Sequence, residues 1–283
     1  MSSLGQKLAA VLVSAVLALL ILMAGQIPWT VLLALNFRNR TSALPWSVAV
    51  MAVVLWMMWQ YLGGKGWPRS ASGKRRCLLR ANPVPPKTFA LSFLCGVLAV
   101  IALAGYWIVL FQLVKTPPNI LADASRYPLL TVILVTAMSS LVSSISEEIA
   151  FRGYAQQILE SRFSGGVAVT LSSLLFMLAH ANHGLYWPKL TVYFLVGVVF
   201  GAIALLTNSI LTTLPVHIVG DVTFFVLIWP RDAARVLVTE GGADQWFWVH
   251  VMQAFVFTLL ALAGFWCLKK QGERVLALER ARL

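Results

Sequence analysis

Apolar positions in this chain run in long unbroken stretches instead of alternating with polar ones. Eight can be read, at approximately 8–36, 46–62, 88–113, 128–160, 167–181, 189–206, 209–229 and 247–268. Several reach the ~20 residues a helix needs to cross the hydrocarbon core of a bilayer. Lipid offers no partner to an exposed backbone, so runs of this length predict helices. The expected fold class is an all-α integral membrane protein with about eight transmembrane helices, forming one polytopic domain over residues 1–283. Gly25, Gln26 and Pro28 interrupt the first stretch and predict a kink or break there. Residues 161–166 (Ser-Arg-Phe-Ser-Gly-Gly) read as a turn, which makes the fourth and fifth stretches an antiparallel hairpin. The run after Lys7 resembles a leader peptide. It is long, lacks a clear cleavage site and precedes further spans, so a retained helix is expected.

Composition agrees with this reading. Hydrophobic residues make up 59% of the chain and charged ones 11%, against roughly 45–50% and 25% in soluble domains. The net charge of +12 would suggest nucleic acid in a soluble protein, but the basic residues here sit in short loops beside apolar spans. No nucleic-acid partner is expected. With the N-terminus inside, 15 Lys and Arg fall on the cytoplasmic side. The seven on the other side are Arg38, Arg40, Lys115, Arg126, Lys189, Arg231 and Arg235. Both termini are therefore expected in the cytoplasm. Loop 63–87 alone carries Lys65, Arg69, Lys74, Arg75, Arg76, Arg80 and Lys87, which predicts contact with anionic lipid headgroups. Cys77, Cys95 and Cys267 show neither a disulfide framework nor a zinc-binding spacing.

Three of the ten acidic residues lie inside predicted spans, Glu147, Glu148 and Asp221, and the other seven sit in loops or at helix ends. A carboxylate at bilayer depth costs a few kcal/mol or more and is normally retained for a function. Glu148 and Arg152, four apart, share a helix face and can pair, leaving Glu147 free for chemistry. Glu147 lies 14 residues before the predicted turn and His180 lies 14 after it. In an antiparallel hairpin both then sit about 20 Å from the turn, at equal depth. His217 and Asp221 share a face by their i,i+4 spacing, with Asp221 a candidate to orient the imidazole. Asn182 and His183 read as a helix end, and His250 as an interfacial residue.

Glu147-Glu148-x-x-x-Arg152, Phe176-x-x-x-His180 and His217-x-x-x-Asp221 resemble the three motifs of the CPBP family. That family contains the CAAX prenyl endopeptidases and the bacteriocin-processing or immunity (Abi) proteins. The resemblance spans roughly residues 128–229, the expected catalytic core. It implies an intramembrane endopeptidase of a bacterial plasma membrane that acts on a peptide or membrane protein, with a cavity opening toward the cytoplasm. By motif position, Glu147 would activate water and His180 would hold it. Glu148 and Arg152 would support the site, while His217 and Asp221 would stabilise the oxyanion. In the prenyl-protein branch the position of Asp221 is usually Asn, a neutral donor, so Asp221 departs from the pattern. No HExxH is present. The expected scheme needs no cofactor, and a zinc ion, if bound, would draw on Glu147, His180 and His217. Two other readings stay open: an ion- or proton-coupled transporter, and a non-catalytic immunity or scaffold member of the same family.

Overall fold

A computed structural model describes residues 3–38, 44–119 and 123–280, with side chains through Glu273; Arg40 and Arg282 lie outside the described residues. All regular structure among them is helical. The order is α1 (Ser3–Phe37), α2 (Trp46–Leu62), α3 (Ser72–Leu79), α4 (Pro86–Leu113), α5 (Leu129–Glu147), a π-helical segment (Glu148–Ala155), α6 (Gln156–Glu160), α7 (Gly165–Ala179), α8 (Trp187–Thr207), α9 (Leu214–Thr223), a second π-helical segment (Phe224–Ile228), α10 (Val238–Gly241) and α11 (Gln245–Arg280). Prolines mark several starts, at Pro86 in α4, Pro188 in α8 and Pro215 in α9. The missing N–H costs nothing in the first turn of a helix.

Among the described residues six helical units are long and apolar enough to cross a membrane: α1, α4, the continuous unit Leu129–Glu160, α8, Leu214–Ala234 and α11, against the eight expected. The protein is a multi-pass membrane protein. α2 and α7 are apolar but shorter, at 17 and 15 residues. The break expected in α1 does not occur. Its helix runs unbroken through Pro28, as membrane helices do where neighbouring helices and local adjustments satisfy the freed backbone group. α11 presents Trp248, Met252, Phe255, Leu259, Leu262 and Trp266 outward, as a lipid-facing surface would.

Packing between helices relies on small residues, which let backbones approach where lipid supplies no hydrophobic drive. A Cβ on Gly105 of α4 would lie 2.9 Å from the Ala254 backbone nitrogen of α11. The approach closest to the site is Gly25 of α1, where a Cβ would meet Ser146 Oγ at 1.9 Å and Ser146 Cβ at 2.9 Å. Gly25→Val is therefore expected to destabilise the protein by about 1–3 kcal/mol. The thermal midpoint in detergent checks this, and adding Ser146→Gly should recover part of the loss. An unchanged midpoint for Gly25→Val would show that α1 is not clamped there.

Successive helices run between two faces. On one, Arg162 donates to Gln6, the Lys7 ammonium sits over the Phe163 ring, and Gln271 at the far end of α11 donates to Thr88. Loop 63–87 packs on the same side. Tyr154 donates to the carbonyl of Leu62, and Arg80 pairs with Glu160 at 3.0 Å. We call this the basic face. On the opposite face Phe37 stacks edge-on against Tyr127, Lys189 donates to Asn119, and Trp107 donates to Asp232.

Candidate active site

The hairpin expectation holds. α6 ends at Glu160 and α7 begins at Gly165. His180 Nε2 lies 3.9 Å from Glu147 Oε2. His217 Nε2, from α9, lies 3.5 Å from the same oxygen. The backbone carrying the two carboxylates was not legible in the spacing. The α-helix gives way to a π-helical segment at Glu148, and π geometry is rare and concentrated at functional sites. Glu148 nonetheless meets Arg152 at 3.4 Å, both fully buried.

Each imidazole has one nitrogen committed. His180 Nδ1 lies 2.9 Å from the carbonyl of Phe176, and a carbonyl only accepts, so that nitrogen carries the proton. His217 Nδ1 lies 2.9 Å from Glu148 Oε1, the carboxylate held by Arg152, so it too donates. The Nε2 atoms of both rings are left facing Glu147. Asp221, a candidate to orient His217, stands 3.6 Å from its Nε2 and accepts from Ser144 at 3.3 Å. The orienting partner is Glu148. Its fixed bond wins because it comes from an adjoining helix already locked by Arg152.

Several residues absent from the motifs complete the site. Ser143, one turn before Glu147, donates to Glu147 Oε1 at 2.9 Å. The other oxygen, Oε2, is buried without a hydrogen bond from the protein. Tyr193 of α8 stacks on the His180 ring at 4.3 Å, and Phe200 tilts against His217 at 4.6 Å. The Arg152 guanidinium is packed among rings, 4.3 Å from Phe176, 5.3 Å from Phe200 and 5.9 Å from Phe151. Phe176 of the second motif therefore does two jobs: its ring faces Arg152 and its carbonyl fixes His180. Only Ser143 left a sequence signal, an i,i+4 step from Glu147 in a serine-rich run. Tyr193 and Phe200 are aromatic residues in an apolar span, indistinguishable from packing residues by pattern.

His183 lies beyond the end of α7 and shares a 2.7 Å hydrogen bond with the Tyr193 hydroxyl. Burial above all, then the nearby His180 and Lys189, pushes His183 down to about 4, so the ring is neutral near pH 7. His250 is remote from the site, 2.9 Å from Gln253 Oε1.

These groups border a cavity of about 500 Å³. α1 contributes Gln26 and Trp29, and the far wall comes from Phe224, Phe225 and Trp229. Its exposed lining residues are Met23, Ile27, Thr30 and Asn182. As a metal centre the arrangement does not fit. A tetrahedral zinc with ligands at ~2.0–2.1 Å needs donor atoms about 3.3 Å apart, whereas Glu147 stands 3.9 and 3.5 Å from the two imidazole nitrogens. Among the described residues no group of three His, Cys, Asp or Glu side chains is placed to hold a metal ion.

Fold and site define a class: a polytopic helical membrane protein with a carboxylate–imidazole centre buried between its helices. Residues 129–223 match the family model described as Type II CAAX prenyl endopeptidase Rce1-like, the family to which the three motifs pointed. The match covers the unit Leu129–Glu160, α7, α8 and α9, and so every residue of the three motifs. It supports a protease at the level of the family. No curated protein and no solved structure matches the chain.

Proposed function

We propose that this protein is an intramembrane endopeptidase in which Glu147 activates water against a peptide bond. One observation carries the reading. A carboxylate oxygen with no protein donor faces two imidazole nitrogens whose partner nitrogens are already fixed, inside a cavity walled by apolar side chains. A water about 2.8 Å from both Glu147 Oε2 and His180 Nε2 fits a gap of 3.9 Å and directs a proton to each.

The chemistry follows from those donors and acceptors. Glu147 takes a proton from the water as its oxygen attacks the carbonyl carbon. His217 acts as the imidazolium: Nδ1–H donates to Glu148, and Nε2–H, which faces Glu147 at 3.5 Å, turns toward the oxyanion, with Asp221 bordering the same space. Glu147 then returns its proton to the amide nitrogen as the C–N bond breaks, leaving a carboxylic acid and an amine. Arg152 balances Glu148 and the His217 imidazolium balances Glu147, so the four buried groups carry no net charge together.

Comparing membrane-peptide profiles of cells making the wild type and Glu147→Gln tests the proposal and identifies the substrate. A peptide pair present only with the wild type is expected; identical profiles would refute it. Cleavage by purified protein is expected to survive exhaustive chelation. A loss reversed by one divalent ion would instead place a metal among Glu147, His180 and His217.

The second partner is lipid. Arg75 is buried and donates to the carbonyls of Tyr61, Lys65, Gly66 and Pro68, folding loop 61–68 around itself. Trp67 is thereby left 85% exposed beside the exposed Lys65, Arg69, Lys74 and Arg76. An indole among cations suits an anionic membrane interface.

A further inference from the structure

We infer that the cavity opens toward the non-cytoplasmic side of the membrane, and that the protein acts on polypeptide segments presented from that side. The inference rests on the proteolytic reading of the site, although its test does not.

The first observation is a closed floor. Between the site and the basic face lies a layer of polar contacts, buried at Arg80 and Ser209 and exposed at its outer members Asn82 and Asn208. Arg80, 2% exposed, pairs with Glu160, donates to Asn208 Oδ1 at 3.1 Å and reaches the carbonyl of Arg152. The Ile210 N–H donates to the Arg80 carbonyl at 3.0 Å, Asn82 donates to the Asn208 carbonyl, and the Ser209 hydroxyl donates to the Asn82 carbonyl across the same seam. Arg80 holds a left-handed backbone (φ 57°) and Asn208 another (φ 50°), the turns that bring the two segments together. Glu148, Arg152, Ile210 and Thr213 are fully buried above this layer. No residue of loop 63–85, of the turn 161–164 or of 208–213 lines the cavity.

The second observation is where the cavity leads. Asn182 and His183 come from the turn between α7 and α8, and Trp229 from the turn that follows the second π-helical segment; both turns lie at the opposite face. On α5 the lining runs from Glu147 back through Ser143 to Ser139, toward the Leu129 end. The exposed lining residues, Met23, Ile27, Thr30 and Asn182, lie on the same side of Glu147 or level with it.

Charge then sets the direction. Among the described side chains the basic face carries eleven Lys and Arg (Lys7, the seven of loop 63–87, Arg162, Lys269 and Lys270), against six on the opposite face. Such a bias keeps loops in the cytoplasm. Cytoplasmic termini and a cytoplasmic cavity were both expected from sequence, and this architecture makes them exclude one another. The termini and loop 63–87 stay inside, so the cavity faces out. A substrate reaching Glu147 would be an extended, largely apolar segment of an exported or membrane-anchored polypeptide. A chain end delivered from the cytoplasm would meet the floor.

Cysteine labelling in right-side-out membrane vesicles decides this. Native Cys77 is exposed on α3 and reports the basic face once Cys95→Ala and Cys267→Ala are made. Asn182→Cys reports the mouth, and Leu185→Cys, at a position 75% exposed in the same turn, serves if the first variant inserts poorly. A membrane-impermeant maleimide is expected to label position 182 or 185 in sealed vesicles and Cys77 only after lysis. Labelling of Cys77 in sealed vesicles, or failure of both 182 and 185 to react before lysis, overturns the inference. Repeating the labelling on Glu147→Gln separates the two questions, since orientation is read without any cleavage.

Discussion

Glu147→Gln is expected to lower the cleavage rate by about three orders of magnitude while leaving insertion and helix content unchanged. The amide is nearly isosteric with the carboxylate and can keep the Ser143 hydroxyl at its 2.9 Å contact. It cannot take the proton of an attacking water, and a positioned general base is worth roughly 10²–10⁴ in rate. The loss should fall on kcat rather than KM, because Glu147 meets the reacting atoms rather than the remote parts of a substrate. His180→Ala should lose less. It removes one acceptor for the water and unseats the Tyr193 stack, but leaves the base in place. The measurement is the single-turnover rate on the peptide that distinguishes the two membrane profiles, with purified protein in detergent. A Glu147→Gln protein retaining a tenth of wild-type rate would remove Glu147 from the role of base.

The class of the protein was legible because bilayer physics writes it in long apolar runs, and the site because charges inside those runs are costly enough to stand out. Equal spacing of Glu147 and His180 about a Gly-Gly turn was enough to bring them within 3.9 Å. What escaped the pattern depended on contacts between distant segments. The π-helical turn at Glu148–Ala155 has no signature in residue order. Its Gly153 is where a Cβ would press on the Leu78 and Leu79 carbonyls at 3.0 and 3.1 Å, a constraint imposed by a loop 75 residues earlier. The nearer partner of His217 escaped the pattern for a related reason. An i,i+4 neighbour is visible in sequence, whereas Glu148 lies 69 residues away. Charge counting predicts a direction for the chain, whereas the Arg80–Asn208 contact, between residues 128 apart, leaves no trace in residue order.

Removing the charge of Arg152 should produce the largest loss of stability. Its guanidinium and the Glu148 carboxylate are both fully buried. Arg152→Met leaves Glu148 as a buried carboxylate with only His217 to answer it. Stranding one partner of a buried pair costs about 3–5 kcal/mol. Arg152→Lys should recover only part of this, since an ammonium lacks the flat face that packs on Phe176 at 4.3 Å. The double variant Glu148→Gln/Arg152→Met removes both charges at once. It should regain most of the stability, because well-packed neutral groups often replace a buried pair at little cost. Cleavage, however, should stay low in the double variant, because His217 Nδ1 would then face a neutral amide instead of a carboxylate. Thermal midpoints of the three variants, paired with their rates, separate the two roles of the pair. If the double variant recovered activity along with stability, Glu148 would be a packing group and not the anchor of His217.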